Sequence, residues 1–318
     1  MTIVCTGSIA YDYLMTFPGY FKDHILVEHL DSISLSFLVD SMVRQRGGTA
    51  PNIAYSLALL GENPLLFGTV GEDFGDYRVW LENQGIDTSG VAVIPGLFTA
   101  SFFANTDRSN AQICSFYPGA MAQASSLSLK QLVKKPDLVI ISPNDPGAMY
   151  KLVDECIELG IPYLYDPSQQ LIRMERDEIR RGVLHAQSLF VNEYEFELLQ
   201  KHSGLTPEII QEHLQYLVIT RGERGASIYA GGSEIRVAVV PPKQILDPTG
   251  VGDAFRSGFV RGVRLGLDWK TCGQMGALAA TYVLEQKGTQ NHAYTINEFI
   301  QRYAENFGDA KALESLLN

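Results

Sequence analysis

The chain has 318 residues, 46% of them hydrophobic, and a net charge of −11 from 25 Lys and Arg against 36 Asp and Glu. Such an acidic balance argues against non-specific binding to nucleic acid or an anionic membrane, and leaves room for a local nucleotide site. Cys5, Cys114, Cys156 and Cys272 are far apart with no CxxC pair, no apolar run reaches a membrane span, and Met1 to Cys5 lacks a signal peptide's basic start, so the expected setting is a reducing cytoplasm without disulfides or structural zinc.

Thr2 to Thr6 is a short β-rich run followed by Gly7-Ser8, the way many α/β sheets present a ligand-binding edge. Asp12 comes next, either a turn aspartate or a carboxylate facing that edge. Residues 13–45 break the β-α rhythm. There Ile33, Leu35, Phe37 and Val39 alternate with mostly polar neighbours, and the period of two predicts a half-exposed β insertion. Gly47-Gly48-Thr49-Ala50-Pro51-Asn52 then opens a helix through Leu60, closed by Gly61. Gly48 can make a turn or admit a ligand close to backbone, and Asn52 can start a helix or offer a donor and an acceptor to hydroxyls. Leu65 to Val70 reads as a buried strand and Asp76 to Asn83 as an amphipathic helix ending at Gly85. Thr99 to Ala104 and Ala111 to Tyr117 form a β pair crowded by Phe102, Phe103, Phe116 and Tyr117. Such a pair either packs on its own sheet or offers a stacking surface to a flat ring.

From Asp137 onward the rhythm is regular. Strands are predicted over Leu138–Ile141, Tyr163–Tyr165, Ser188–Val191 and Leu217–Thr220, with a helix over Ala148–Leu159. The last three strands run into polar clusters: Asp166-Pro167-Ser168-Gln169-Gln170, Asn192-Glu193-Tyr194-Glu195 and Arg221-Gly222. Parallel strands with helical crossovers predict a doubly wound α/β sheet that binds ligands at its strand C-termini. After a β-rich run over Ile235–Val240 comes Asp247-Pro248-Thr249-Gly250-Val251-Gly252-Asp253-Ala254-Phe255, which enters a helix over Ala254–Gly266 with Phe255, Phe259 and Val263 four residues apart. Glycines at a helix start expose unpaired N–H groups to an anion. A carboxylate at Asp253 would repel that anion, and makes chemical sense as a base for a hydroxyl that attacks a phosphoryl group held there. Two later helices, Lys270–Glu285 and Asn297–Phe307, have apolar faces suited to covering the sheet. The chain has no P-loop, GxGxxG, HExxH or GxSxG motif.

The nine-residue string resembles the signature of the ribokinase-like superfamily, the phosphofructokinase-B family of carbohydrate and nucleoside kinases. Further likeness lies in Gly47 to Asn52, Asn192-x-x-Glu195, Thr220-x-Gly222 and Gly288-Thr289-Gln290. Phe17-Pro18-Gly19, Leu35 to Asp40 and Ser115 to Met121 are similar to the lid segments of bacterial adenosine kinases. The resemblance implies a ribokinase-like doubly wound, mostly parallel sheet flanked by helices, with a core over 1–11, 46–97 and 118–318 and a small β-sheet lid over 12–45 and 98–117. It implies phosphorylation of the adenosine 5′-hydroxyl by ATP and Mg²⁺, with a monovalent cation such as K⁺ a further cofactor. Asp253 would be the base, and Gly250, Val251 and Gly252 the anion hole. Arg173 would neutralise the moving phosphoryl group. Asp12, Gly48 and Asn52 would hold the ribose, Ser8, Ser36, Gln169 and Gln170 would touch the nucleoside, and Phe102 and Phe116 would face the adenine. Asn192, Glu195, Thr220 and Gly222 would serve ATP, with Glu195 ordering the metal through water, and the two terminal helices would also cover the ATP site. A homodimer clasped through the lids is expected, with no nucleic-acid or membrane partner. The alternatives are a sugar kinase such as a ribokinase, and a ligand-binding regulator on a retired kinase fold. Retirement would first cost Asp253, Gly250 or Gly252, and all are present. Two departures stand out. Val251 replaces an alanine but still supplies its N–H, and Thr49-Ala50-Pro51 is unusual before Asn52, though Pro51 suits a first helical turn.

Overall fold

A computed structural model describes residues 2–25 and 34–317, so Ile33 of the expected alternation lies outside the described residues. The first half of the chain runs β1 (Ile3–Thr6), β2 (Ala10–Thr16), β3 (Ser41–Gly47), α1 (Thr49–Leu59), β4 (Leu65–Val70), α2 (Gly75–Asn83), β5 (Asp87–Val93), β6 (Ala100–Thr106), β7 (Gln112–Tyr117) and β8 (Leu138–Ile141). It continues with α3 (Pro146–Leu159), β9 (Tyr163–Tyr165), α4 (Arg176–Leu184), β10 (Ser188–Asn192), α5 (Glu193–Ser203), α6 (Pro207–His213), β11 (Tyr216–Thr220), β12 (Ala226–Ala230) and β13 (Ser233–Val237). The last helices are α7 (Val251–Arg264), α8 (Trp269–Leu284) and α9 (Ile296–Phe307).

Among the described residues, nine strands form one sheet in the order β13-β12-β11-β10-β9-β8-β1-β4-β5. The run from β11 to β5 is parallel, and β12 and β13 are antiparallel additions at one edge. Helices cover both faces, which is why β1, β4, β8 and β9 are buried along their whole length. The chain leaves β1 toward β4 and β5, then returns to β8 on the other side. That reversal opens a crevice at the strand C-termini, and Asn192 and Thr220 lie at the same edge, with Asp166 just beyond β9.

A second sheet has the order β3-β2-β6-β7. Its strands differ from the expected ones. Residues 34–39 have no regular structure, and the strand lies at Ser41–Gly47 instead. Within this segment Phe37 is anchored, meeting Phe17 and Phe21 edge-on at 5.0 Å each, while Leu35 is exposed. A strand register is fixed by β2, where Asp12 pairs with Gln45 and with Phe102, and Phe102 pairs with Phe116. Period-two geometry therefore puts Gln45, Asp12, Phe102 and Phe116 in one row on one face of this sheet.

Helix α7 is the hinge between core and site. It packs on α8 through residues without side chains. A Cβ on Gly258 would sit 2.5 Å from the Met275 carbonyl oxygen, and one on Gly262 would sit 2.9 Å from Cys272 Cα. Helix α9 was expected to cover the nucleotide, but it packs on α8 instead, with Phe299 against Tyr282 and Arg302 bound to Glu285 at 2.6 Å. Gly258→Ala should force the two helices apart and cost about 1–3 kcal/mol. Thermal unfolding of the variant should show a lower midpoint, and an unchanged midpoint would mean that the helix pair yields without strain.

Candidate active site

Gly250 ends the loop before α7 with φ +76°, a left-handed conformation that suits glycine, and the first helical bond runs from Ala254 N to Gly250 O at 3.0 Å. The N–H groups of Val251, Gly252 and Asp253 therefore precede the helical ladder and point out of its positive end. Asp247 holds the loop in place: Oδ1 accepts from Thr249 N at 2.9 Å and Oδ2 from Gly288 N at 3.0 Å.

Asp253 is 8% exposed. Its Oδ2 accepts from Asn52 Nδ2 at 2.9 Å and its Oδ1 from Arg256 Nη1 at 2.8 Å. Each oxygen keeps a lone pair for a further donor. Burial pushes its pKa up, and the Arg256 charge and the Asn52 hydrogen bond pull the other way. Asn52 is itself oriented: Gln290 Nε2 donates to its Oδ1 at 2.7 Å and to the Tyr77 hydroxyl at 2.6 Å, and that hydroxyl donates to the Gly47 carbonyl at 3.0 Å. A buried hydrogen-bonded chain thus runs from the root of the small sheet to Asp253.

Beyond Arg256 lies Asp166, fully buried, 2.7 Å from Arg256 Nη2. Ser168 follows with φ +41°, a strained value for a serine, and donates to Glu195 Oε1 at 2.8 Å. Glu195 Oε2 accepts from Asn192 N at 2.8 Å, while Asn192 Oδ1 accepts from Glu195 N at 2.8 Å. Asn192 and Glu195 thus form a capping box at the start of α5. Among the described residues no group of three His, Cys, Asp or Glu side chains forms a metal cage. The donor set fits a cation that arrives with its own water and phosphate ligands, reached by Glu195 from outside that shell.

A cavity of about 510 Å³ opens beside the glycine turn. Thr220 and Gly222 line it, as do Val251 and Gly252, so the glycine turn and a pocket of nucleotide size are continuous. Helix α8 supplies Ala277, Ala280 and Leu284 to its wall. Asp12 lies on the other side of the turn. Its carboxylate covers Gly47, where a Cβ would meet Asp12 Oδ2 at 2.6 Å. Burial, and then the charge of Asp247, raise its pKa to about 6.

Several expected contacts take other roles. Gly48 has φ +96°, and a Cβ there would meet Ala10 N at 2.7 Å, so it admits the neighbouring backbone. Ser8 caps α1, its Oγ accepting from Thr49 N at 3.1 Å. Ser36 is exposed in the irregular 34–39 segment, and among the described residues no hydrogen bond joins it to the Asp253 cluster. Gln169 is exposed, and Gln170 bonds Arg173 at 3.4 Å. Arg173 itself is exposed on the short turn after Asp166, and the guanidinium at the base is that of Arg256. Sequence reasoning missed Arg256, although its i,i+3 spacing from Asp253 puts both on one side of the helix start. It also missed Tyr77 and Asp166 as members of the cluster, because nothing local marks a residue whose partners are far away in the chain.

A family model described as pfkB family carbohydrate kinase matches residues 6–296. The chain belongs to this family. Among solved structures it is similar to the nucleoside kinase of Burkholderia thailandensis in complex with inosine, at 36% identity and a TM-score of 0.86 over 97% of this chain and 99% of that one. The same protein in complex with ADP-inosine gives 37% identity and a TM-score of 0.84, covering 97% of each chain. The nucleoside kinase of Methanocaldococcus jannaschii is 28% identical over 302 residues, which span 94% of this chain and 96% of that protein. The ribokinase-like fold read from the sequence is thus found, a large mostly parallel sheet with a separate small one.

The raised pKa of Asp12 has a consequence for any ligand held through vicinal hydroxyls. Its carboxylate form accepts from two hydroxyls, and that form prevails above about pH 6 and is lost as pH falls through that value. Calorimetric titration of such a ligand should therefore show affinity falling below about pH 6. Affinity that stays flat from pH 7.5 to 5 (chosen about one unit or more to either side) would remove Asp12 from the diol site.

Proposed function

We propose that this kinase transfers the γ-phosphoryl group of ATP to the 5′-hydroxyl of a purine nucleoside, with adenosine the leading candidate and inosine beside it. The observation that carries the reading is the row Gln45–Asp12–Phe102–Phe116. A carboxylate suited to a ribose diol neighbours a phenyl ring on the next strand, and a second ring follows on the strand after that. Stacking on such rings contributes about 1–3 kcal/mol per base, which a free sugar forgoes. The inosine complex of a protein 36% identical to this one supports a purine and does not favour adenine over hypoxanthine.

The chemistry follows from the cluster. Asp253 accepts the proton of the 5′-hydroxyl as that oxygen bonds to the γ-phosphorus, and the bond from phosphorus to the bridging oxygen breaks to release ADP. The N–H groups of Gly250, Val251 and Gly252 stabilise charge on the phosphoryl oxygens. Asn52 keeps the base carboxylate fixed while it waits. Thr220 and Gly222 border the adenine end of the donor cleft. Mg²⁺, when bound with ATP, would supply charge neutralisation on the phosphates, and Glu195 and Asn192 would hold it through water; a monovalent cation is a further cofactor of this reading.

Turnover with adenosine, inosine, guanosine, cytidine, ribose and fructose 6-phosphate tests the assignment. A purine nucleoside should have the highest kcat/KM, and a higher value for ribose would make the protein a sugar kinase. Asp253→Asn keeps the shape and removes the proton acceptor, so kcat should fall by about 10²–10⁴-fold with nucleoside binding retained. Near-full kcat in that variant would end the base assignment.

The lid also favours pairing. Strand β7 is exposed at all six positions, including Phe116 at 50%, and it forms one edge of the small sheet. Bare apolar edges invite a second strand. We expect a two-fold homodimer through the lids, which sedimentation equilibrium at micromolar protein checks. A single species near the chain mass of 35.1 kDa would refute it.

A further inference from the structure

Arg256 stands between two buried carboxylates on different parts of the fold. Its Nη1 is 2.8 Å from Asp253 Oδ1 and its Nη2 is 2.7 Å from Asp166 Oδ2, and the side chain is 12% exposed. It also lies beside the anion turn, where a Cβ on Gly252 would be 3.8 Å from Nη2. One fork therefore serves two acids, and only one of them is placed to receive a substrate proton.

We propose that Arg256 is the positioning residue for the base: it keeps Asp253 ionised and aimed by bracing it against Asp166. The inference rests on the reading of Asp253 as the base and adds a residue that the reading does not need. The groups facing Asp253 are Asn52 from α1 and Arg256 from its own helix, and across Arg256 lies Asp166, beyond β9, which feels the charges of both Asp253 and Glu195. Arg256 is the cation of that set. Without it, two or three carboxylates would share a dry pocket with only Asn52 as a donor to Asp253, and the cheapest response is to take up protons. Asp166 already shows the tendency. Burial raises its pKa to about 7, with Arg256 opposing and the charges of Glu195 and Asp253 adding to the rise.

The arrangement predicts a difference between the two halves of one ion pair. Arg256→Gln and Asp166→Asn both break the Arg256–Asp166 contact, and Arg256→Gln also removes the hydrogen bond to Asp253; a merely structural role lowers kcat in either variant without moving its acid limb. A brace for the base predicts that Arg256→Gln moves the acid limb of the kcat profile up by about 1–3 pH units, while Asp166→Asn does not raise it. Profiles should be taken at saturating nucleoside, where Asp12 is already engaged, with ATP held constant so that its own titration is common to every variant. Arg256→Gln strands two buried carboxylates and is liable to fold poorly. The double variant Asp166→Asn/Arg256→Gln strands only one, and its acid limb should still lie above that of Asp166→Asn alone. Arg256→Lys keeps the charge and should lie between wild type and Arg256→Gln. Coincident acid limbs for Asp166→Asn and the double variant would overturn the proposal. An active Asp253→Asn would instead overturn the base assignment, so the two failures are distinguishable.

Discussion

A carboxylate removed from water either finds donors or takes up a proton, and Asp253 meets that condition with the help of residues far away in the chain. Asn52 is 201 positions away, and its amide is turned toward the carboxylate because Gln290, 238 positions from Asn52, occupies the other side. The rest of the molecule is arranged so that these donors arrive together. Helix α7 presents Asp253 and Arg256 from one turn, the close contact of α7 with α8 fixes where that turn lies, and the parallel strands deliver Asp166 and Glu195 to the same edge. The glycine turn sits where it does because Asp247 and Gly288 hold it there.

How much of this was legible before the structure depended on whether the signal was local. The Phe255, Phe259 and Val263 spacing gave α7, although the helix begins at Val251 and not Ala254. Continuous apolar runs gave β4 and β8 with their bounds. Strands β5 and β12 were not read, because Asp87–Val93 contains Ser and Gly and Ala226–Ala230 is short and flanked by glycines. The displaced lid strand shows the limit of period-two reasoning. An irregular segment can alternate in sequence just as a ladder does, and only pairing with β2 tells them apart.

At the site the same rule holds. Asp253 and its glycines form one contiguous string, so their chemistry could be argued from neighbours. Arg173 was named because its spacing after Asp166 resembled a known pattern, whereas Arg256 went unnamed because its value lies in a contact across the fold. Gly48 and Ser8 also serve the backbone, a role the sequence does not separate from ligand binding because steric need and binding leave the same residue types.

The row across the small sheet separates two tasks by strand. Asp12 and Gln45 come from the first insertion, on β2 and β3, while Phe102 and Phe116 come from the second, on β6 and β7. Neither insertion carries Asp253 or the glycine turn. In this kinase the part that would meet the nucleobase is one contiguous hairpin that can diverge as a unit, leaving unaltered the strands that would hold the sugar and the glycine turn that carries Asp253. A change of base preference would then require exchange of a single short cassette, and a family built this way can widen or narrow its range of nucleosides without rebuilding its catalytic core.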